Sequence, residues 1–254
     1  MSPEPAIPRT LLLSFAHPDD ESFLAGGTAC RSAAAGVRVV LSCATRGESG
    51  KAGEPPVCEA KDLPAVRERE LREAASILGI SEVHLLGYRD RSLDAAPPDR
   101  IREQLVGLLR RERPQVVLTF DPNGANLHPD HVAISRFTAD AVAAATDPRW
   151  FPELGAPHAV ARLVWVPGRH PWEWAREADP ALRPGVDFLI DVGPWHRRKI
   201  AALEAHRTQR ASVTRHFLRH DDRERVLSLE FFRQAWGPAP ASRPAHDLFE
   251  GIGG

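Results

Sequence analysis

Leu11-Leu12-Leu13-Ser14-Phe15-Ala16-His17-Pro18-Asp19-Asp20-Glu21 is the stretch from which the fold is read. Its first six residues form an apolar run too short for a helix, which predicts a buried strand ending at His17-Pro18. Residues from about 21 to 35 are Ala-rich and run to Gly36, a residue suited to the position just past a helix C-terminus. Residues 37–44 then read as a second strand, 63–78 as a helix closed by Gly79, and 83–86 as a third strand. Ile101, Leu105, Leu108 and Leu109 lie at i, i+4, i+7 and i+8, one face of a helix that Pro114 bounds. Residues 116–120 read as a fourth strand and those from about 130 to 145 as the next helix. Apolar strands alternating with helices predict an α/β fold: a Rossmann-like doubly wound, mostly parallel sheet with helices on both faces. On such a sheet, ligands bind outside the carboxyl ends of the strands.

The second half is less regular. Residues 162–166 and 188–192 read as strands, and 194–207 and 224–236 as helices. From 237 the Pro- and Ala-rich tail reads as low-complexity and extended. The expectation is a single domain over 1–254: a core over about 9–145, an irregular part over about 146–236 that shapes a pocket, and the tail at 237–254. The connection from Pro167 to Pro184 carries His170, Trp172 and Trp174 and is expected at the substrate mouth, with packing onto the core as the alternative.

Composition excludes several classes. The chain is 43% hydrophobic and 26% charged, which excludes a disordered protein. Its 34 acidic and 33 basic residues give no basic excess for nucleic acid. No apolar run is long enough to span a bilayer, and Met-Ser-Pro-Glu-Pro-Ala-Ile-Pro does not resemble a signal peptide, so a cytoplasmic protein is expected. Cys30, Cys43 and Cys58 are odd in number and far apart, which argues against a disulfide framework or a CxxC site. The sequence leaves homo-oligomerisation open.

The chemistry gathers in two segments. After the first strand come His17, Asp19, Asp20 and Glu21; helix capping accounts for one or two acids there, but not for three in a row behind His-Pro. After the fourth strand, Asp121-Pro122-Asn123-Gly124-Ala125-Asn126-Leu127-His128-Pro129-Asp130-His131 brings two histidines and an acid to the same sheet edge. Two imidazoles and a carboxylate suit zinc with one position open, and suit Fe(II) nearly as well. A hydrolase also needs a base beside the metal, and one of Asp19 and Asp20 would be spare, which favours zinc hydrolysis. A nucleotide-binding protein would need G-x-G-x-x-G directly after the first strand; Gly26-Gly27 comes too late, and carboxylates there would repel a pyrophosphate. A non-catalytic carbohydrate-binding module would not need a ligand set plus a spare base.

At these residues the sequence resembles the PIG-L/LmbE-like zinc de-N-acetylases, marked by AHPDDE after the first strand and HPDH or HxDH after a later one. Here these are residues 16–21 and 128–131. The likeness extends to Thr45-Arg46-Gly47-Glu48, to Arg67 with Glu70, and to Leu86-Gly87-Tyr88-Arg89-Asp90. Beyond about residue 145 it thins to Lys199, His206 and Gln209, similar to a later Lys…His…Gln stretch. The resemblance implies His17, Asp20 and His131 as zinc ligands and Asp19 as general base. It implies that His128, cationic and oriented by Asp130, stabilises the oxyanion or protonates the leaving amine. Arg67 and Asp90, with Glu48, would hold sugar hydroxyls, and Glu21 would cap or brace a ligand. The reaction implied is zinc-dependent hydrolysis of the acetamide of an N-acetylglucosamine-type sugar or conjugate, a small-molecule amino-sugar substrate. The alternative is a zinc amidase acting on another acylated amine, a thiol-conjugate or antibiotic-type amide. In the branch acting on thiol precursors the residue two before the HxDH histidine is often an aromatic hydroxyl; here it is Asn126, which can donate a hydrogen bond but not a proton.

Overall fold

A computed structural model describes residues 9–167 and 185–252. The first half runs β1 (Thr10–Phe15), α1 (Asp20–Ala34), β2 (Arg38–Thr45), α2 (Leu63–Leu78), β3 (Glu82–Tyr88), α3 (Pro98–Glu112), β4 (Val116–Phe120) and α4 (Pro129–Ala145). The second half adds β5 (Arg162–Val166), β6 (Phe188–Asp191), α5 (His196–Ala205), α6 (Arg223–Ser228) and β7 (Leu229–Trp236). The strands form one sheet in the order β3-β2-β1-β4-β5-β7-β6. Its first five strands are parallel, and β7 runs antiparallel to both β5 and β6. The doubly wound, mostly parallel sheet expected from the alternation of elements is the one found.

Burial follows position in the sheet. Every residue of β1 and β4 is buried, as strands covered on both faces must be, whereas β3 at the edge is only half buried. The helix α2 shows why its sequence folds as it does. Leu63, Arg67, Glu70, Leu71, Ala74, Ala75 and Leu78 form its buried stripe, Pro64 opens its first turn, and Gly79 closes it at φ 79. Two of those buried residues are charged, an arrangement that packing alone does not produce.

Two expectations fail in the second half. The helix expected over 224–236 stops at Ser228, and the rest is β7. Glu230 and Phe232 alternate with Leu229 and Phe231, and the strand is held by pairing with β5 and β6, partners distant in sequence that local periodicity does not reveal. The tail is not a loose extended segment. Ala245 bridges Phe188, and Ala245, Leu248 and Phe249 are buried. Fully buried Arg162 donates to the carbonyls of Leu248 at 2.6 Å, Glu250 at 2.8 Å and Pro238 at 2.9 Å. The expected mouth residues His170, Trp172 and Trp174 lie outside the described residues. Among the described residues, no helix is long and apolar enough to cross a membrane.

Candidate metal centre

Strands β1 and β4 are parallel neighbours, but their following helices leave to opposite faces. Helix α1 packs with α2 and α5, and α4 packs with α3. The loops after β1 and β4 therefore diverge and leave a crevice at the carboxyl edge of the sheet. A cavity of about 310 Å³ opens there, lined by His17, Asp19, Asp20, His128 and His131 among others. Both sequence segments thus meet in one place.

Three donor side chains converge on one point. Nδ1 of His17 lies 3.1 Å from Nε2 of His131 and 3.6 Å from Oδ2 of Asp20, and Oδ1 of Asp20 is 3.5 Å from Nε2 of His131. A tetrahedral ion with bonds of about 2.0–2.1 Å has donor–donor edges of about 3.3–3.4 Å, so these separations fit one. Tautomers fit as well. Nε2 of His17 faces Asp130 at 3.1 Å and Asp90 at 3.2 Å, and Nδ1 of His131 donates to the Gly124 carbonyl at 3.1 Å. Each ring has an outward acceptor for one proton, so its inward nitrogen can turn a lone pair to a cation that displaces any second proton. The His131 ring is stacked on Phe120 at 4.0 Å between centroids. Gly124, at φ 65, can carry no side chain here, because a Cβ would come 2.7 Å from that of His131.

Charge agrees with geometry. Burial disfavours a cationic His17, yet its hydrogen bonds to the Asp130, Asp20 and Asp90 carboxylates raise its pKa well above 6.5. Burial opposes ionisation of Asp20 too, but His131 and His17 bring its pKa down to about 2. Burial lowers the pKa of His131 to about 4, against the pull of Asp20. The carboxylates draw positive charge to this point, and His131 presents a neutral nitrogen to it.

Asp19 stands beside the donor set with its backbone at φ 127, a value rare for a residue with a Cβ. Burial, and secondarily Asp20, raise its pKa to about 7 although Arg67 opposes the shift. Arg67 is buried, with Nη2 at 3.1 Å from Asp19 and also on the Pro18 carbonyl, and Nη1 at 2.9 Å from the Gly47 carbonyl. It lines the cavity, but its donors are largely engaged by the protein. Asp90 also lines the cavity, with one oxygen on His17 and the other accepting from the Ser49 amide at 2.9 Å. Glu48 accepts from the Asp90 amide at 3.0 Å, which makes it a brace behind Asp90.

The expected partnership of His128 and Asp130 takes a different form. The Asp130 carboxylate points to His17 and accepts from the amides of Arg91 at 2.6 Å and Leu93 at 3.0 Å. It is the Asp130 backbone N–H that donates to Nδ1 of His128, at 3.2 Å. His128 caps α4 in this way, its ring proton sits on Nε2, and burial with nearby His17 lowers its pKa. The ring is therefore a neutral hydrogen-bond donor, where the sequence led to a cationic one. Asn126 lines the cavity and accepts from the His128 amide at 3.1 Å through its side-chain oxygen.

Several supporting residues come from the second half. His206 is fully buried and meets Glu21 at 2.8 Å; burial opposes its charge, but Glu21 prevails and raises its pKa. Glu70 accepts from the Thr208 amide at 3.0 Å and hydroxyl at 2.6 Å, tying α2 to the segment that brings Gln209 and Ser212 to the cavity wall. Lys199 pairs with Glu230 at 2.6 Å, both fully buried, and Glu230 also accepts from the Gly27 and Thr28 amides. The family resemblance marked Arg67, Glu70, Lys199 and His206 in the sequence; nothing in the sequence marked Glu230 or Thr208.

Comparison with known proteins adds an independent line. Residues 12–142 match the PIG-L family, described as GlcNAc-PI de-N-acetylase. A Streptomyces avermitilis 1D-myo-inositol 2-acetamido-2-deoxy-alpha-D-glucopyranoside deacetylase is 33% identical, covering 96% of this chain and 97% of that protein. A probable N-acetyl-alpha-D-glucosaminyl L-malate deacetylase 2 from Bacillus anthracis is 35% identical over 75% of this chain and 93% of its own. Among solved structures, N,N'-diacetylchitobiose deacetylase from Pyrococcus horikoshii superposes with a TM-score of 0.70, at 23% identity, covering 89% of this chain and 84% of that one.

Proposed function

This chain belongs to the PIG-L family of de-N-acetylases, and we propose from that premise that it is a single-domain cytoplasmic enzyme that hydrolyses the acetamide of a small N-acetylglucosamine-type conjugate. The products are acetate and a free amino sugar. The observation that carries the reading is the convergence of His17 Nδ1, His131 Nε2 and Asp20 at donor–donor spacing, with both ring tautomers set by outward hydrogen bonds.

These three residues would hold one divalent cation, zinc by preference, with Fe(II) accepted by the same donor set. When bound, such a cation supplies Lewis acidity, lowering the pKa of water from 15.7 to about 7 and polarising an amide carbonyl. The protein's own groups do the rest. Asp19, held beside the donors by Arg67, takes the proton of the attacking water. His128, neutral and fixed by the Asp130 amide, offers its Nε2–H to the oxygen that gains charge. The proton held by Asp19 then passes to the departing amine, and the C–N bond breaks. Asp130 and Asp90 act on the reaction through His17, whose orientation they set. Arg67 serves Asp19 more directly than it serves sugar hydroxyls.

Metal content and acetate release, measured together, test this. Wild type should carry one divalent ion per chain and release acetate from N-acetylglucosaminyl conjugates. His131→Ala and Asp20→Ala should lose both properties, and Asp19→Ala should keep the metal and lose most of the rate. Full metal occupancy in His131→Ala, or acetate release from none of the conjugates by the loaded wild type, overturns the reading.

A further inference from the structure

Arg91 lines the cavity but belongs neither to the metal donors nor to the base. Its backbone sits at φ 63, and its N–H donates to Asp130 at 2.6 Å, the same buried carboxylate that faces His17. The root of the side chain is thus tied to the metal centre while the residue itself is exposed. Ser49, Asn126, Gln209 and Ser212 add uncharged polar groups to the same lining. Arg67, the other arginine of the lining, is taken up by Asp19 and two carbonyls. Among the described residues, the Arg91 guanidinium has no carboxylate partner.

We propose that Arg91 reads an anionic group, a carboxylate or a phosphate, on the aglycone of the amino-sugar substrate. The proposal rests on the de-N-acetylase reading and narrows its substrate class. A guanidinium presents a planar fork that matches either anion in a bidentate way, and a neutral polyol gains little from a fixed cation. The cavity, about 310 Å³, is at the low end for a ligand site and opens to solvent beside the exposed Arg91. The aglycone-side charge separates this chain from a plain inositol-conjugate enzyme.

The test compares N-acetylglucosaminyl malate, N-acetylglucosamine 1-phosphate and the neutral N-acetylglucosaminyl inositol, in wild type, Arg91→Gln and Arg91→Lys. Acetate release is read as kcat/KM, and affinity is read separately by calorimetry. Wild type should favour at least one anionic conjugate over the inositol conjugate by about tenfold or more, the scale of one charge-assisted hydrogen bond. Preference for the malate conjugate alone assigns a carboxylate, and for the phosphate alone a phosphate. Arg91→Gln should erase the preference through KM, Arg91→Lys should restore part of it, and added salt should weaken it in wild type. Equal kcat/KM for charged and neutral conjugates in wild type, or an unchanged ratio in Arg91→Gln, overturns the proposal. If no conjugate is turned over, the de-N-acetylase reading fails, and the calorimetric ratio alone decides the role of Arg91 by the same criterion.

Discussion

The Glu21 carboxylate accepts the backbone N–H of Asp19 at 3.1 Å, two residues away. Its other oxygen meets the Ser22 hydroxyl at 2.5 Å and His206 Nε2 at 2.8 Å, so this loop is anchored to a histidine 185 positions later in the chain. The arrangement holds Asp19 at φ 127, where a Cβ is strained, and so aims its carboxylate alongside the donor set. Backbone strain of this kind costs of order 1–3 kcal/mol and survives only where surrounding contacts enforce it.

Asp19→Gly and Asp19→Ala should therefore separate strain from chemistry. Both lose the proton-accepting carboxylate, and both should lose most of the rate while keeping the metal. Glycine accepts this backbone conformation, so Asp19→Gly should be more stable than Asp19→Ala by about 1 kcal/mol despite its larger unfolded-state entropy. Urea unfolding of the two variants measures the difference. Equal stability would mean that Glu21 holds no strain at this position.

A second prediction concerns the far end of the sheet's C-terminal half. Arg162 is fully buried and its guanidinium is spread over three carbonyls of the tail. Arg162→Met leaves those carbonyls without their donor and should cost about 3 kcal/mol. A lysine keeps the charge but lacks the fork, so Arg162→Lys should recover only part of the loss. Cleavage of the tail by a protease of broad specificity should accelerate in the same order, Met before Lys before wild type.

Glu112 gives a prediction with a pH signature. Burial would raise its pKa above the ordinary 4.5, but hydrogen bonds from Arg111 and Arg38 outweigh burial and lower it. A carboxylate whose folded pKa is depressed adds stability that is present above its unfolded pKa and is lost as pH falls through the folded value. Arg38, 2.6 Å away, has a side chain 36% exposed, so solvent screening limits the contribution to about 1 kcal/mol. Glu112→Gln should be less stable than wild type at pH 7, and the two should converge in denaturant midpoint as pH drops below the glutamate range. A gap that persists undiminished at pH 2 would assign the loss to packing.

That His17, Asp20 and His131 converge was legible because HPDDE and HPDH place chemistry-bearing side chains directly after strands, where α/β sheets bind ligands. What those side chains touch was less so. Asp130 sits next to His128's proline in sequence, and only the turn of α4 shows that its carboxylate goes to His17 while its amide goes to His128. Glu21 with His206, and Glu230 with Lys199, join residues whose separation in sequence carries no periodic signal. The strand at 229–236 was misread for the same reason: its partners, more than its own pattern, decide its conformation.

Asp130→Asn tests the outer support of the proposed metal centre. The wild-type carboxylate accepts from His17 and from the amides of Arg91 and Leu93, and it is fully buried. An asparagine can accept through one oxygen only, and its NH2 would face at least one donor across a closed space. Asp90, 3.2 Å from the same His17 nitrogen, keeps the ring from losing its tautomer altogether. Metal affinity should therefore fall by about 10–100-fold, the usual effect of removing an outer partner of a ligating histidine, and not vanish as in His131→Ala. His17 Nε2 and the Arg91 amide share one oxygen of Asp130, so where the NH2 of the asparagine takes that place KM should rise along with the metal requirement. Titration with zinc against a chelator measures the first effect and kinetics at saturating metal the second. Unaltered affinity in Asp130→Asn would show that Asp90 alone orients His17.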